Sequence, residues 1–271
     1  MKNLFTVLAA TLICGACLFS SCKKDEDNNS NNSNNNADLN LKEKLVGKWI
    51  NVEENGQATP TNHKRVLTFL SPTEALFSIS GTNPVTVGWY SHQNCSVAID
   101  GDHVTVSTEA GGMTIACEYT VRSISDDVME VDYSFNNTMN GQIVAQDHGT
   151  QRMQRMTADY TTSIVGIWQG HCTSEGSEFD DGQEHRWEYR ADGTYAYYTK
   201  NGDQWIPTNS VFSNYFVDGL LLCTRWQNEG DNEHREWWEI AIDGNQMHWT
   251  ALRQNSDGTT YTATFEMSKV N

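Results

Sequence analysis

Histidines flanked by carboxylates are the side chains of this sequence best suited to chemistry, because such groups move protons or hold metals. Two runs contain them, Glu184-His185-Arg186 and Glu233-His234-Arg235-Glu236. Both runs have the pattern of β-strands, in which neighbouring side chains point to opposite faces, so neither forms a ready ligand pair. No motif places a nucleophile beside a base. The sequence therefore predicts a protein that is not an enzyme, without catalytic residues, metal or cofactor, and with cross-strand charge pairing in both runs.

The cysteines limit the redox chemistry that the chain could perform. Three of the seven lie within the first 22 residues. In an exported protein a pair per domain favours a disulfide. The alternating apolar neighbours of Cys95 and Cys117 instead suit free, buried thiols, so the sequence leaves both states open for each pair. The absence of Cys-X-X-Cys after residue 22 argues against a zinc ribbon. The four remaining cysteines are Cys95, Cys117, Cys172 and Cys223.

The N-terminus has the composition of a secretory signal. Met1-Lys2-Asn3 precedes an apolar run from Leu4 to Leu18, which is short for a membrane span and is followed by a polar stretch. The segment Leu18-Phe19-Ser20-Ser21-Cys22 resembles the lipobox of bacterial lipoproteins, in which the thiol after the cleavage site is acylated. This resemblance implies removal of residues 1–21 and lipid attachment at Cys22, with Cys17 as a competing site. Several acyl chains would make membrane attachment effectively permanent.

Residues 22–40 have the composition of a flexible tether. The stretch from Asn28 to Asn36 is almost entirely Asn and Ser, which offers no apolar surface to offset the entropy of ordering. The preceding run Lys23-Lys24-Asp25-Glu26-Asp27 resembles the signals that send some Gram-negative lipoproteins to the outer surface. It implies an outer-membrane protein exposed on the cell surface.

An internal repeat divides the rest of the chain. Leu45-Val46-Gly47-Lys48-Trp49 recurs as Ile164-Val165-Gly166-Ile167-Trp168, and three more blocks match in the same order. The sequence therefore predicts two domains, over residues 41–157 and 163–271. The further blocks are 65–77 with 185–197, 100–101 with 218–219, and 124–129 with 242–247.

Each copy is predicted to be a small antiparallel barrel, within an all-β fold. The composition is rich in aromatic and β-branched residues, poor in proline, and punctuated by Asp-Gly and Asn-Gly turns. Alternation at period two predicts roughly eight strands per copy, the number that closes a small barrel. In the first copy the expected strands are 47–53, 65–70, 75–80, 85–90, 96–99, 103–107, 113–122, 128–135 and 149–156. In the second the clearest are 185–190, 194–200, 219–226, 234–242, 246–253 and 259–269.

A Gly-X-Trp motif opens both copies, at Gly47 to Trp49 and at Gly166 to Trp168. The motif resembles that of the lipocalins and the wider calycin group. The resemblance implies lipocalin-like barrels in which the Trp fills the closed end beneath a basic residue of the last strand. A pair of β-sandwiches and a different small barrel are the alternatives. The implied basic partners are Arg155 or Arg152 for Trp49, and Lys269 for Trp168.

Tryptophan is distributed unevenly, because the first copy has only Trp49 and Trp89 and the second has the other seven. On the strand expected at 234–242, Trp238 shares a face with Ile240 and Trp237 lies opposite. The family resemblance implies a small apolar or amphipathic ligand inside a barrel, so aromatic residues of the second copy are the candidate contacts. These are Trp187, Tyr189, Trp205, Trp226, Trp238 and Trp249.

Two other functions remain open on the sequence. Trp205, within the polar stretch 201–205, could belong to an exposed platform of a carbohydrate-binding or adhesion module. The chain could also be a structural component of a surface complex. The net charge of −17 argues against nucleic acid as a partner. The predicted partners are therefore the membrane, through the lipid on Cys22, and a small apolar ligand or a glycan.

Overall fold

The computed structural model describes residues 40–79, 91–110 and 112–270. The signal segment, Cys22, nearly all of the tether and the strand expected at 85–90 lie outside these residues. The described chain is almost entirely antiparallel β-structure, which confirms the all-β prediction. Its helical elements are α1 (Leu41–Lys44) and a 3-10 turn at Thr61–His63. Within these ranges no helix is long and apolar enough to cross a membrane.

The first sheet is a closed barrel. Its strands are β1 (Gly47–Glu54), β2 (Gln57–Ala58), β3 (Val66–Ser71), β4 (Glu74–Ile79), β5 (Ser91–Asp100), β6 (His103–Ala110), β7 (Met113–Ile124), β8 (Val128–Met139) and β9 (Gln142–Arg155). Each strand from β3 onward pairs with the next, and β9 returns to pair with β1. Eight strands therefore close the ring, while the short β2 adds only to one end of β1.

The second sheet repeats this order without closing. Its strands are β10 (Gly166–Cys172), β11 (His185–Tyr189), β12 (Tyr195–Asn201), β13 (Gln204–Pro207), β14 (Ser210–Asp218), β15 (Leu221–Asn228), β16 (His234–Asp243), β17 (Gln246–Gln254) and β18 (Thr260–Val270). The first strand again pairs with the last, here β10 with β18. However, β13 and β14 are not paired, so both are edge strands.

The open seam lies between β12 and β14. In the first barrel the equivalent strands, β4 and β5, form six consecutive residue pairs. In the second barrel only the bridge between Thr194 and Asn214 joins the two strands. Beyond this bridge β12 pairs with β13, because the chain reverses at Gly202, whose φ of +59° suits glycine. The second sheet is therefore curled into an incomplete barrel.

An apolar cluster joins the two sheets. Ile50 and Val66, on the outer face of the first barrel, pack with Leu221, Cys223 and Trp237 of the second. All five are less than a tenth exposed. Trp237, which points to the opposite face of β16 from Trp238, is therefore buried against the first barrel.

Buried ion pairs flank this apolar contact. The carboxylate of Asp218, which is 3% exposed, pairs with Lys48 and accepts a hydrogen bond of 2.5 Å from Ser78 Oγ. On the other side Lys64 Nζ donates to Glu239 Oε1 over 2.6 Å. Both pairs cross from one barrel to the other.

The 3-10 turn of the first barrel acts as a wedge in the second. The β16–β17 pairing runs only from Asp243 to Glu239 along β16. Past that point Thr61, which is fully buried, accepts a 2.9 Å hydrogen bond at Oγ1 from the backbone amide of Leu252 on β17. The Thr61–His63 turn contacts both strands. The turn therefore takes the place of the backbone pairing between β16 and β17 where these two strands separate.

Candidate functional site

The first barrel is closed at one end by Trp49. The indole is fully buried, and its Nε1 donates a 2.8 Å hydrogen bond to Leu45 O. The guanidinium of Arg155 lies over the ring with Cζ 4.2 Å from the centroid, and its Nη1 donates to Val46 O at 2.7 Å. Arg155, rather than Arg152, is thus the residue that covers Trp49.

Trp168 has the same arrangement in the second barrel. It is fully buried, and its Nε1 donates a 2.7 Å hydrogen bond to Ile164 O. Lys269 Nζ lies 5.1 Å from the ring centroid and 3.4 Å from Ser163 O, so this cation makes longer contacts than Arg155 does.

The glycine of each motif lets the basic side chain reach the backbone. Gly47 and Gly166 have φ values of +130° and +138°, which other residues rarely adopt. A Cβ at Gly47 would lie 2.4 Å from Arg155 Nη1, and one at Gly166 would lie 2.5 Å from Lys269 Cε. Since this end of each barrel is filled, the opposite end, here called the mouth, is where a ligand could enter.

The interior of the second barrel is lined with aromatic rings. The centroids of Trp187 and Trp249 are 4.8 Å apart, and those of Trp238 and Trp249 are 5.3 Å apart. Phe265 meets Trp187 and Trp238 edge-on, and Tyr189 meets Tyr215 edge-on at 4.8 Å. Trp238, Trp249 and Phe265 are at most 2% exposed. These rings fill the floor of the barrel, so any ligand must lie above them.

Near the mouth the inward side chains become partly accessible. Trp187, Tyr197, Trp226 and Tyr261 are half-buried although they pack on the core. The ring of Trp226 stacks on His234 with centroids 5.3 Å apart. The mouth is therefore a shallow aromatic depression open to solvent.

Glu236 is the acidic group of this depression. Alternation along β16 puts it on the same inward face as Trp238, whose Nε1 donates to Glu236 Oε2 at 3.2 Å. Burial raises the pKa of Glu236, although the charge of Arg253 and the indole hydrogen bond act in the opposite direction. Glu236 thus packs beside an indole ring, and the residue as a whole is half-buried.

Arg253 is the basic group of the same depression. It lies on β17 with its Cζ 4.7 Å from the ring centroid of Trp238 and 5.4 Å from that of Phe179. Its Nε and Nη2 are buried and have no hydrogen-bond partner among the described residues. The guanidinium thus lies against two ring faces and close enough to Glu236 for their charges to interact, while its Nε and Nη2 make no hydrogen bond to a described residue.

The connection between β10 and β11 covers part of the mouth. Phe179 inserts from this segment and packs on Trp238 at 5.2 Å and on Phe265 at 6.0 Å. Glu178 accepts a short hydrogen bond from the Tyr261 hydroxyl, and Asp181 contacts His185 Nε2 at 3.1 Å. The segment is therefore fastened at two points on either side of Phe179.

The equivalent positions of the first barrel carry different side chains. Aligning the two Asp-Gly turns equates Val104 with Leu222, and the strand registers then equate Cys117 with Glu236. The same alignment equates Phe135 on β8 with Arg253 on β17. Cys117 and Phe135 pack on the core of the first barrel. At these two aligned positions the second barrel therefore has an acid and a base, whereas the first barrel has neither.

Of the six aromatic residues proposed as ligand contacts, five lie on the inner face of the second barrel. Trp187, Tyr189 and Trp238 each contact Trp249 in the interior, and Trp226 lies at the mouth. Trp205 does not join them. It lies on the outer face of β13, where Arg186 Cζ is 4.4 Å and Lys200 Nζ 5.6 Å from its ring centroid. Those cations occupy the ring, so Trp205 is not a free platform for a sugar.

The four described cysteines are free thiols. Cys95 on β5 and Cys117 on β7 face the same interior but are separated by β6, which puts their backbones about 9 Å apart, beyond the reach of a disulfide. Cys172 faces the second interior, whereas Cys223 lies in the contact between the barrels. Within the ranges that the structure describes, no group of three or more His, Cys, Asp or Glu residues could hold a metal ion.

Sequence reasoning missed three residues of the mouth. Glu236 and Arg253 could have been found, because each alternates in phase with a tryptophan on its own strand, Trp238 and Trp249. Phe179 gave no signal, since it lies in a connection without periodicity.

Comparisons with known proteins identify no family. No family model matches the chain, and no curated protein matches it. Two solved structures illustrate the matches that were found. One is a double mutant of transferrin-binding protein B, a vaccine antigen from Haemophilus parasuis, with 9% identity, 83% of this chain covered, 44% of that chain covered and a TM-score of 0.25. This chain thus spans less than half the length of that protein.

The other is a protein of unknown function from the DUF3598 family of Nostoc punctiforme, with 9% identity, 86% of this chain and 99% of that chain covered, and a TM-score of 0.22. At such low TM-scores neither structure informs the function of this chain.

Proposed function

We propose that this chain is a lipid-anchored binding protein of lipocalin-like architecture, whose second barrel takes up a small amphipathic molecule at its mouth. The observation that carries the proposal is the mouth itself. There the partly accessible rings of Trp187, Tyr197 and Trp226 share the interior of the second barrel with Glu236 and Arg253. Aromatic walls with a few oriented polar groups are typical of small-molecule sites.

The first barrel supports this proposal by contrast. It has the same strand order and the same plugged end, yet Cys117 and Phe135 stand where the second barrel has its charged pair. Burying Glu236 and Arg253 costs free energy, which a purely structural barrel would avoid by having apolar side chains at both positions. We infer that the first barrel is a scaffold and the second barrel is the binding unit.

A fluorescence titration tests the binding function. The chain from residue 22, with Cys22→Ser so that it stays soluble, is titrated with an uncharged apolar probe such as 1-decanol while tryptophan emission is followed. We expect saturable quenching that Trp187→Ala abolishes and that Trp205→Ala, on the outer face, leaves unchanged. A response to soluble oligosaccharides alone would contradict the proposal in favour of adhesion, and silence to both would favour a structural role.

The anchor is proposed from the sequence and is tested separately. In cells fed radiolabelled palmitate we expect the protein to be labelled and to sediment with outer membranes, and Cys22→Ser to lose both properties. Cys17→Ser is the matched control, because it removes the competing site and should change neither. Labelling that survives Cys22→Ser and disappears with Cys17→Ser would move the anchor to Cys17.

A further inference from the structure

The unused donor edge of Arg253 indicates what the ligand carries. Nε and Nη2 lie on one side of a guanidinium and point in parallel, which suits the two oxygens of a carboxylate. Leaving buried donors unpaired is unfavourable, and more so when the group is charged. No described residue accepts from these two atoms of Arg253.

The chain itself shows how it uses this edge elsewhere. Arg122 donates from Nε and Nη2 to the two oxygens of Asp132. Arg190 does the same to Glu188, at 3.2 Å and 2.7 Å. Both pairs are partly or fully exposed to solvent. Arg253 presents the same two atoms inside the barrel without a described acceptor.

Nearby groups do not fill the gap. The carboxylate of Glu236 accepts a hydrogen bond from the indole of Trp238, and that of Glu178 accepts one from the hydroxyl of Tyr261. The other buried side-chain atoms without a described partner inside this barrel are Trp249 Nε1 and Tyr189 OH, which can both donate. The interior of the second barrel therefore has unpaired donors in excess and needs acceptors.

We propose that the ligand of the second barrel is an amphipathic monocarboxylate, whose two oxygens accept from Nε and Nη2 of Arg253 while its apolar part lies on the rings at the mouth. This inference rests on the proposed binding function. Because Phe179 lies over Arg253, the apolar part takes the place of that ring or packs against it. Glu236 lies near enough for its charge to interact with that of Arg253, so it opposes a second negative charge and limits the ligand to one.

Three ten-carbon probes that differ only in their head groups test the inference. Decanoate, 1-decanol and decyltrimethylammonium are titrated at pH 7.5, below their micelle-forming concentrations, into the chain from residue 22 carrying Cys22→Ser. We expect decanoate to bind most tightly. Arg253→Gln should weaken decanoate about tenfold to a hundredfold and leave 1-decanol nearly unchanged.

Two further variants keep the test decisive if Arg253→Gln fails to fold. Glu236→Gln removes the opposing charge and should tighten decanoate several-fold. Arg190→Gln, which removes an outer-face guanidinium of the same type, should have no effect on any probe. Folding of each variant is checked by near-ultraviolet circular dichroism.

The outcomes separate this inference from the function on which it rests. Equal affinity for all three probes, unaffected by Arg253→Gln, would overturn the carboxylate and leave a barrel that binds apolar molecules. Tighter binding of decyltrimethylammonium that Glu236→Gln abolishes would replace the carboxylate with a cation. Failure of all three probes to bind would overturn both proposals.

Discussion

The two barrels begin with the same motif and differ at the β4–β5 and β12–β14 seams. Six residue pairs hold the first seam, and a single bridge holds the second. The same contrast appears at the mouths, where Cys117 and Phe135 of the first barrel correspond to Glu236 and Arg253 of the second. A closed ladder stabilises a barrel, whereas an open seam and buried donors without partners weaken it.

This contrast teaches how a duplicated fold can divide its tasks. The first barrel has a closed strand ladder, and it contacts the second barrel through two ion pairs and an apolar face. The second barrel can then carry Glu236 and Arg253 without forming all of its own strand pairs. The following predictions test this division, beginning with the largest effect.

The plugged ends should be equally important in the two barrels. Trp49→Ala and Trp168→Ala each remove a fully buried indole, so each should lower the free energy of unfolding by about 3–5 kcal/mol. Urea denaturation followed by circular dichroism measures the loss. A loss below about 1 kcal/mol for either variant would show that the plugged end of that barrel contributes little to its stability.

The contact between the barrels should contribute nearly as much. Asp218→Ala removes the carboxylate that pairs with Lys48 and accepts from Ser78 in the contact between the barrels, which should cost about 3 kcal/mol. We expect the second barrel to unfold at lower temperature than the first in this variant. Asp243→Ala, which changes an exposed carboxylate at the end of β16, is the control and should unfold as the wild type does.

The basic residues over the two tryptophans should differ in strength. Arg155 stacks at 4.2 Å and donates to several backbone carbonyls, so Arg155→Met should cost about 2 kcal/mol. Lys269 lies at 5.1 Å with one long hydrogen bond, so Lys269→Met should cost less than about 1 kcal/mol. Equal losses in urea denaturation would remove this difference between the barrels.

The open seam should be visible in hydrogen exchange. Peptides covering 204–214 should exchange roughly ten times faster than peptides covering 91–100, which are paired on both sides, corresponding to about 1.4 kcal/mol less protection. Mass spectrometry after brief deuteration resolves the two regions. Equal protection would mean that the second seam is closed in solution.

The mouths should differ in their response to pH. Because the folded state raises the pKa of Glu236 above its ordinary value of 4.5, the folded protein binds this proton more tightly than the unfolded chain does. The free energy of unfolding should therefore fall as pH rises from about 4.5 through the folded pKa. Glu236→Gln should remove that fall.

Cys117→Ser is the matched control at the equivalent position. Burial raises the pKa of the Cys117 thiol to about 12, so it stays neutral over the same range. The control variant should therefore keep the wild-type pH dependence. A fall of equal size in Glu236→Gln and in the wild type would assign the effect to another group.

The repeat and the alternation of apolar residues were enough to predict the strand rhythm and the all-β class. Expected strands such as 103–107 and 246–253 lie within β6 and β17 with small shifts at their ends. The strands β13 and β14 were not predicted, because the seam depends on which partner β12 chooses after Gly202. That choice is a long-range pairing and has no local periodicity.

The candidate site was predicted only in part. The aromatic lining follows from alternation and the excess of tryptophan in the second copy. Glu236 and Arg253 were not selected, because charged residues in strands usually face solvent, although each alternates in phase with a tryptophan of its own strand. Trp205 was placed with the site since its polar surroundings suggested exposure, whereas Arg186 covers it.

The turn at Thr61–His63 commits the two copies to each other. The backbone amide of Leu252 donates to Thr61, and Lys64 donates to Glu239. A second copy without the first would therefore have an amide without its acceptor and a gap between β16 and β17. Insertions or deletions between residues 59 and 65 are then constrained by the shape of the neighbouring copy. Cutting the chain between the two copies would therefore remove contacts that both barrels have only in the pair.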